Sequence, residues 1–290
     1  MDNFKIIQGD STFSHILLNQ YLEKVSLVVT SPPYHNAISY ETHADNSELN
    51  YRIRNTSSYQ QEYLSLLNKV WFSCWNLLQP GGYLAINVGS VLENGYHYSL
   101  PQDIQTEILS SDQNWEFIRN IIWNKVTAGV KRAGSVIKHR LPGYWYPNIM
   151  TEHIIIFRKP GIMKSLNIDV PYEWWDPVWD LAPVPPRTVE HPAPFPEEIP
   201  HRLIRMLTKK NDIIFDPFNG AGSTTKAALD LERFPIGVDL EQKYVDLAIK
   251  RIKSESQIRN SQLLIRPISA SEFKPKKSKG RTRHGAGKKF

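Results

Sequence analysis

The chain has 290 residues, 41% of them hydrophobic and 22% charged, and a net charge of +6. These values are typical of a globular protein long enough for one large domain or two small ones. They predict no membrane span, because no apolar run is long enough, and the N-terminus lacks the apolar core of a signal peptide. Cys74 is the single cysteine, so no internal disulfide can form, and we expect a reducing, cytoplasmic compartment.

The first predicted elements are a strand over 4–7 that ends at Gln8-Gly9-Asp10, a short helix over 11–22 and a buried strand over 25–30. The buried strand leads into Ser31-Pro32-Pro33-Tyr34, where two prolines remove backbone donors and fix the φ angles. A serine and a tyrosine are therefore held on a rigid turn at the carboxyl end of a strand. Open α/β sheets bind their ligands at that edge. The alternative interpretation is an ordinary loop that ends the strand.

The next segment, residues 37–57, is polar and aperiodic, which predicts a long loop. A helix then begins at Ser58, where Ser58 and Gln61 form a capping-box pattern, and it ends at Pro80-Gly81-Gly82. Cys74 lies within the apolar stripe of this helix, which indicates a packed thiol and not a nucleophile. A strand over 83–88 follows.

Two further strands are predicted over 115–123 and 153–158, and the chain between them has an unusual charge pattern. The segment between Glu116 and Glu152 holds six cations and no acid, together with several aromatic side chains. Cations mixed with aromatic rings are typical of a surface that binds nucleic acid through phosphates and stacked bases. The cations that we propose as contacts are Lys125, Lys131, Arg132, Lys138 and Arg140.

Residues 161–200 are rich in proline and contain Trp174, Trp175 and Trp179. So many large aromatic side chains favour an ordered segment, packed on a core or on a base, over a simple linker. The C-terminal part then alternates helices over 197–207, 223–233 and 241–254 with strands over 212–215 and 234–238. Strands that alternate with helices predict an α/β fold with a mostly parallel sheet.

A glycine-rich turn, Asp216–Ser223, lies between a strand and a helix, where glycines let the backbone approach a ligand closely. Asp239, at the end of the following strand, is placed to accept hydrogen bonds from ribose hydroxyls. The turn lacks the spacing of a phosphate-binding loop and the third glycine of a dinucleotide-binding motif. The pattern therefore predicts an adenosine-type ligand with no phosphate to hold.

The end of the chain is strongly basic. Residues 274–290 carry eight Lys or Arg and no acid, so the rest of the chain has a net charge of −2. Such tails are usually solvated and flexible. We predict a flexible tail over 255–290 that follows a globular part over 1–254.

Several of these motifs together resemble the amino-directed DNA methyltransferases, which transfer the methyl group of S-adenosylmethionine to an exocyclic base nitrogen. Thr30-Ser31-Pro32-Pro33-Tyr34 resembles the family's catalytic turn, and Asp216–Ser223 resembles its cofactor turn. His191–Glu197, Gly9-Asp10 and Ile236–Asp239 resemble its other cofactor elements. The catalytic turn comes first and the cofactor glycines last, as in the permuted group called β. The resemblance extends over about residues 4–250.

The resemblance implies a Rossmann-like fold with a mostly parallel seven-stranded sheet. It implies a catalytic domain over 1–254, with candidate DNA-recognition segments at 125–148 and 161–190. It also implies S-adenosylmethionine as cofactor, no metal, and duplex DNA as substrate in a bacterial or phage cytoplasm. The implied catalytic residues are Ser31, Pro32, Pro33 and Tyr34. The implied cofactor contacts are Asp10, Thr30, Phe195, Asp216, Phe218, Asn219, Gly220, Gly222, Ser223 and Asp239.

The target base is inferred from the first residue of the catalytic turn. In the family that the chain resembles, Ser-Pro-Pro-Tyr goes with cytosine, whereas Asp- or Asn-Pro-Pro-Tyr goes with adenine. The resemblance therefore implies N4-methylcytosine as the product. The alternatives are N6-methylation of adenine, action on RNA, and a DNA-binding module that has kept the fold without the activity. We also expect a functional partnership with a restriction endonuclease and a monomer or homodimer.

Overall fold

The computed structural model describes residues 3–33, 59–93, 96–127, 130–131, 149–162, 169–184 and 195–262. The strands are β1 (Lys5–Gln8), β2 (Val25–Thr30), β3 (Leu78–Val88), β4 (Val91–Glu93), β5 (Tyr96–Tyr98), β6 (Glu116–Thr127), β7 (Val130–Lys131), β8 (Thr151–Arg158), β9 (Val178–Leu181), β10 (Ile213–Asp216) and β11 (Phe234–Asp239). The α-helices are α1 (Ser14–Leu17), α2 (Ser65–Leu77), α3 (Leu100–Leu109), α4 (Glu198–Leu207), α5 (Ser223–Asp230) and α6 (Gln242–Gln262). None of these helices is both long enough and apolar enough to cross a membrane.

Nine strands of the described chain form one sheet, in the order β1-β11-β10-β2-β3-β8-β6-β7, with β9 beside β6. Five neighbouring strands are parallel to one another, namely β1, β11, β10, β2 and β3. In contrast, β8 runs antiparallel to both of its neighbours, β3 and β6. This arrangement confirms the predicted α/β fold with a mostly parallel sheet. The sheet is wider than the predicted seven strands, because β7 and β9 both pair with β6.

The strand β2 lies near the middle of the sheet and is buried along its whole length. Successive side chains of a strand point to opposite faces. On one face Val28 packs with residues of α2 and α3, and on the other Leu27 and Val29 pack with residues of α4 and α5. Burial on both faces explains why β2 is a continuous apolar run and not an alternating pattern.

The junction between α2 and β3 differs from the prediction. The helix ends at Leu77 and the strand begins at Leu78, so Pro80-Gly81-Gly82 lies within β3 and does not end the helix. The pairing of β3 with β2 shifts its register at this point, and Gly81 has a φ of +80°. A Cβ on Gly81 would lie 2.4 Å from the carbonyl oxygen of Ile162, so this irregularity in the strand requires glycine.

The end of α2 is held by a buried lysine. Lys159 is 8% exposed, and its ammonium group donates to the carbonyl oxygens of Trp75 (3.0 Å) and Leu78 (2.9 Å). The same group contacts the carboxylate of Glu23 at 3.1 Å. Because the last carbonyl groups of a helix have no partner within the helix, Lys159 satisfies groups that would otherwise be buried without a hydrogen bond.

Residues 11–22 do not form the predicted continuous helix. Two short 3₁₀ turns, Ser11–Phe13 and Asn19–Tyr21, lie on either side of the four-residue α1. The carbonyl oxygen of Thr12 accepts a hydrogen bond from the Ser73 hydroxyl at 2.7 Å. Tertiary hydrogen bonds of this kind compete with those that would continue a helix.

The remaining differences lie where the sequence carried a weak signal. The β4–β5 hairpin and α3 were not predicted, and α6 continues to Gln262, beyond the predicted end at 254. The chain divides into one unit up to Ile252 and another from Lys253, and the assignment of 255–290 to a flexible tail stays a prediction. In the predicted tryptophan segment, 161–200, the described residues 169–184 are ordered, since Trp174 and Trp179 are buried in the core. The predicted loop 37–57 and the capping residue Ser58 lie outside the described residues.

Candidate active site

Four adjacent parallel strands end at one edge of the sheet, and each end carries a predicted site residue. The strands β1, β11, β10 and β2 end next to Asp10, Asp239, Asp216 and Ser31, respectively. Since parallel strands present their carboxyl ends on the same side, the structure brings together residues that lie more than 200 positions apart in the chain. This edge is therefore the candidate active site.

The carboxylate of Asp216 connects the catalytic turn to the glycine turn. Its Oδ1 accepts hydrogen bonds from the Thr30 hydroxyl at 2.7 Å and from the Phe218 backbone N–H at 3.0 Å. Asp216 is 1% exposed. Burial raises the pKa of this carboxyl group to about 6, although the hydrogen bonds from Thr30, Thr224 and Phe218 act in the opposite direction.

The glycine turn is held against β11 by Asn219. The backbone N–H of Asn219 donates to the carbonyl oxygen of Val238 at 3.0 Å, and its side-chain oxygen accepts from the Thr225 hydroxyl. A Cβ on Gly237 would lie 2.5 Å from the Asn219 amide, so Gly237 makes room for this side chain. Gly222, with a φ of +79°, then starts α5 in a conformation that favours glycine.

Asp239 is a partly exposed residue next to the glycine turn. Its Oδ2 accepts from the Gly220 N–H at 2.7 Å, and its Oδ1 accepts from the Glu241 N–H at 3.0 Å. Loss of hydration raises the pKa of Asp239 to about 6, against the lowering effect of these two hydrogen bonds. The two backbone N–H groups thus fix the orientation of the carboxylate.

Asp10 is fixed in a similar way at the end of β1. Its Oδ1 accepts from the backbone N–H (2.8 Å) and the hydroxyl (2.6 Å) of Thr12. The neighbouring Ser11 hydroxyl donates to the carbonyl oxygen of Pro217, in the glycine turn. The Gly9 N–H donates to the backbone oxygen of Asp239 at 2.9 Å, so the three acidic strand ends form one side of the site.

The catalytic turn is fixed from the opposite side of the site. Ser31, Pro32 and Pro33 lie at the carboxyl end of β2, next to β10 and β3, and the Tyr63 hydroxyl donates to the Pro33 carbonyl oxygen at 2.8 Å. Thr224, in the first turn of α5, donates to the backbone oxygen of Val29 at 3.2 Å. The fourth residue of the turn, Tyr34, lies outside the described residues.

An ion-pair cluster that the sequence analysis did not single out joins three helices around the glycine turn. Glu197, just before α4, binds Lys226 of α5 at 2.7 Å and also binds Arg251 of α6. Arg251 in turn donates to the carbonyl oxygen of Ala221 at 3.0 Å. Phe195, a predicted cofactor contact, is partly buried against the core on the α4 face.

The predicted DNA contacts are only partly described. The ammonium group of Lys125 lies 2.5 Å from the carboxylate of Glu152 and 5.1 Å from the ring centre of Trp123. The structure therefore places Lys125 in an ion pair that the sequence did not indicate. Lys131 belongs to β7, and the remaining predicted contacts, Arg132, Lys138 and Arg140, lie outside the described residues.

Residues 25–250 match the N6_N4_Mtase family, which is described as DNA methylase. The chain belongs to this DNA methylase family. The DNA methyltransferase is similar to two type II methyltransferases, M.MthZI of Methanothermobacter thermautotrophicus and M.MjaI of Methanocaldococcus jannaschii. The identities are 30% over 88% of this chain and 79% of M.MthZI, and 29% over 86% of this chain and 91% of M.MjaI. The type II beta methyltransferase M.BslI of Bacillus is 28% identical, and the chain spans 27% of its length.

Solved structures support the same assignment for this DNA methyltransferase. TTHA0409 of Thermus thermophilus, in complex with S-adenosyl-L-methionine, matches with a TM-score of 0.62 and 29% identity over 87% of this chain and 95% of that chain. The cytosine-N4-specific PvuII DNA methyltransferase has a TM-score of 0.63 over 91% and 93% of the two chains, and at 18% identity it shows the shared fold. The predicted Rossmann-like fold and S-adenosylmethionine as cofactor are confirmed.

Proposed function

We propose that this DNA methyltransferase modifies the N4 amino group of cytosine in duplex DNA, as a member of the β group. The observation that carries the proposal is a serine, and not a carboxylate or an amide, at the first position of the turn after β2. A neutral hydroxyl at this position goes with cytosine in the family that the sequence resembles.

The chemical task of the catalytic turn is to make a poor nucleophile reactive. The lone pair of a base amino group is delocalised into the ring. Two acceptors for the amino hydrogens draw the nitrogen toward tetrahedral geometry and direct the lone pair at the methyl group. Because the Pro33 carbonyl already accepts from Tyr63, we assign this role to the Ser31 hydroxyl and the Pro32 carbonyl.

The residues of the glycine turn fit an adenosine-type cofactor. Asp239 holds its carboxylate in a fixed orientation for the ribose hydroxyls, and Asn219 Nδ2 is a buried donor without a partner among the described residues. Gly220 and Gly222, both with positive φ, let the backbone approach the ligand. S-adenosylmethionine supplies an activated methyl group when bound. The chain's own residues hold the cofactor and the base in line and keep water away.

The target cytosine has to leave the duplex to reach this edge of the sheet, because its amino group is paired inside the helix. We assign stacking on the flipped base to Tyr34, and phosphate contacts to Lys131, Arg132, Lys138 and Arg140. Lys125 is a weaker candidate for a phosphate contact, since its charge is paired with Glu152. We further propose a functional partnership with a restriction endonuclease of the same specificity, as in type II systems.

The test is to incubate unmodified genomic DNA with the purified protein and S-adenosylmethionine, then to analyse the nucleosides and sequence the modified sites. We expect N4-methylcytosine at one recognition sequence, and with Ser31→Ala we expect it to form roughly 10- to 1000-fold more slowly. N6-methyladenine would overturn the assignment of the base, and modification of RNA alone would overturn the assignment of DNA. If the protein bound S-adenosylmethionine but methylated no nucleic acid, it would be a non-catalytic binding module.

A further inference from the structure

A polar side chain, Asn87, lies near the carboxyl end of β3, the strand that pairs with β2 just before Ser31. Val29 of β2 is paired with Ala85 of β3, and Leu27 with Tyr83. All four side chains belong to the core on the α4 face. Because side chains on one face recur every second residue, Asn87 is the next position of β3 on this face. Ser31, the first residue after β2, follows Val29 in the same way, so we infer that the two side chains are neighbours.

Asn87 is the end of a buried polar chain that crosses three strands. Its Nδ2 donates to Glu152 Oε2 of β8 at 2.7 Å, and Glu152 Oε1 lies 2.5 Å from the ammonium group of Lys125 on β6. Asn87 is 1% exposed and Glu152 is 6% exposed. Gly89 makes room for the carboxylate, since a Cβ there would lie 2.9 Å from Cγ of Glu152.

The amide oxygen of Asn87, at the end of this row of hydrogen-bonded side chains, accepts no hydrogen bond from the described residues. Asn87 Oδ1 is buried and has no hydrogen-bond partner among the residues that the structure describes. The amide cannot be turned round, because its oxygen would then face the Glu152 carboxylate. A buried acceptor without a donor is unusual in a folded protein and points to a partner that arrives with a change of state.

The Ser31 hydroxyl is in the complementary situation. To accept a hydrogen bond from the base amino group, its oxygen must turn a lone pair toward the base, so its own proton must be donated elsewhere. We propose that Asn87 is a positioning residue for catalysis, whose Oδ1 accepts a hydrogen bond from the Ser31 hydroxyl when the base is in place. The proposal rests on the role of Ser31 in the proposed function.

The charges of Glu152 and Lys125 also favour a hydrogen bond from Ser31 to Asn87. The negative charge of Glu152 lies on the donor side of the Asn87 amide, which makes its oxygen a stronger acceptor, and Lys125 balances the charge of Glu152. The hydrogen bonds of Glu152, Asn87 and Ser31 are thus oriented with their negative ends toward the amino nitrogen of the base. This nitrogen becomes positive as it takes up the methyl group. Fixed dipoles directed at a developing charge lower the barrier of the reaction.

The test is a double-mutant cycle on the full-length protein. Asn87→Leu keeps the branched shape of the side chain and removes the acceptor, and we expect the single-turnover rate of DNA methylation to fall about 10- to 100-fold. The dissociation constants for S-adenosylmethionine and DNA should stay within about twofold. In the Ser31→Ala background, Asn87→Leu should cause no further loss of rate, because Asn87 acts through Ser31.

An isosteric exchange provides a rescue that does not depend on the stability of the leucine variant. In Asn87→Asp with Glu152→Gln, the carboxylate and the amide change places while the shape is kept. The amide introduced on β8 then donates to the carboxylate introduced on β3, which still offers an oxygen to Ser31. We expect a rate within about fivefold of the wild type, because the exchange leaves no buried donor or acceptor without its partner and keeps the net charge of the pair. As the matched control, Asn120→Leu on β6 removes an amide that pairs with His153, and it should leave the rate unchanged.

The outcomes separate this proposal from the proposed function. If Ser31→Ala itself kept the wild-type rate, the assignment of the catalytic turn would be wrong. If Ser31→Ala were slow, the proposal for Asn87 would be overturned by any one of three results. The first is an Asn87→Leu variant that methylates DNA at the wild-type rate. The second is a further loss of rate when Asn87→Leu is added to Ser31→Ala. The third is a folded Asn87→Asp, Glu152→Gln variant that is as slow as Ser31→Ala.

Discussion

Thr30 and Asp216, the last residues of β2 and β10, are joined by a hydrogen bond of 2.7 Å between the threonine hydroxyl and the carboxylate. The residue after Thr30 starts the proposed catalytic turn, and the residues after Asp216 form the glycine turn. This bond, together with the Phe218 N–H on the same oxygen, fixes the two turns relative to each other. Transfer between a bound cofactor and a base requires alignment of this kind, because small displacements reduce the rate strongly.

The buried carboxyl group of Asp216 gives the stability of the protein a characteristic pH dependence. Burial raises its pKa from 3.8 to about 6, so the folded protein holds this proton more tightly than the unfolded chain. The contribution of Asp216 to the free energy of unfolding therefore falls as the pH rises from about 4 to about 6, by on the order of 3 kcal/mol.

Asp216→Asn checks this sign. The amide oxygen can still accept from Thr30 and Phe218, but the group no longer titrates. Urea unfolding at several pH values should show the variant gaining stability relative to the wild type between pH 4 and pH 6. Asp112→Asn, at an exposed position, is the control. A constant difference between variant and wild type across this range would contradict the assignment.

Asp239 is expected to carry much of the cofactor affinity. Asp239→Ala removes a charged acceptor, so S-adenosylmethionine binding should weaken by about 1.5–3 kcal/mol. The conservative Asp239→Asn keeps one acceptor oxygen and should lose less. Isothermal calorimetry gives both dissociation constants directly, and an unchanged value for Asp239→Ala would remove this residue from the site.

Lys159 is expected to matter for stability through the carbonyl groups at the end of α2 and not through its ion pair. Lys159→Met leaves the Trp75 and Leu78 oxygens buried without their donor, which should lower the free energy of unfolding by about 1–3 kcal/mol. Glu23 is largely exposed, so Glu23→Gln should change it by less than about 1 kcal/mol. Denaturant unfolding of the two variants compares them, and equal losses would show that the ion pair dominates.

The basic C-terminus is expected to add affinity for DNA of any sequence. Deletion of residues 274–290 removes eight cations and should flatten the dependence of DNA affinity on salt concentration. The methylated sequence should stay the same, because phosphate contacts carry no base information. Titrations at several salt concentrations measure the slope, and a changed recognition sequence after the deletion would make the tail a part of specific recognition.

The positions of the strand ends at the site could be predicted because their signals are local. Prolines after β2 and glycines after β10 mark where each strand stops, and parallel pairing then places the stops at one edge. The bounds of α2 were less predictable. Proline and glycine at 80–82 usually end a helix, but here Gly81 adopts a positive φ inside a strand that had already begun.

The polar chain behind Ser31 could not be found from the sequence. Asn87 and Glu152 are 65 residues apart, and neither belongs to a pattern with a known spacing. Lys125 was predicted to contact DNA because the segment between Glu116 and Glu152 contains no acid. Its actual partner, Glu152, is the residue that ends this segment, so the charge pattern did not indicate the ion pair. Pairing across antiparallel strands is a tertiary property, and only the register of β6 and β8 reveals it.

The pairing of β1 with β11 has a consequence for the synthesis of the protein. Lys5 lies opposite Ile236, so β1 finds its neighbour only after β11 has been made, more than 200 residues later in the chain. Until then β1 is an unpaired strand, and the acidic residue that follows it has no place at the cofactor edge. Contacts this distant in sequence slow folding, so we expect the binding pocket for the methyl donor to form late in folding.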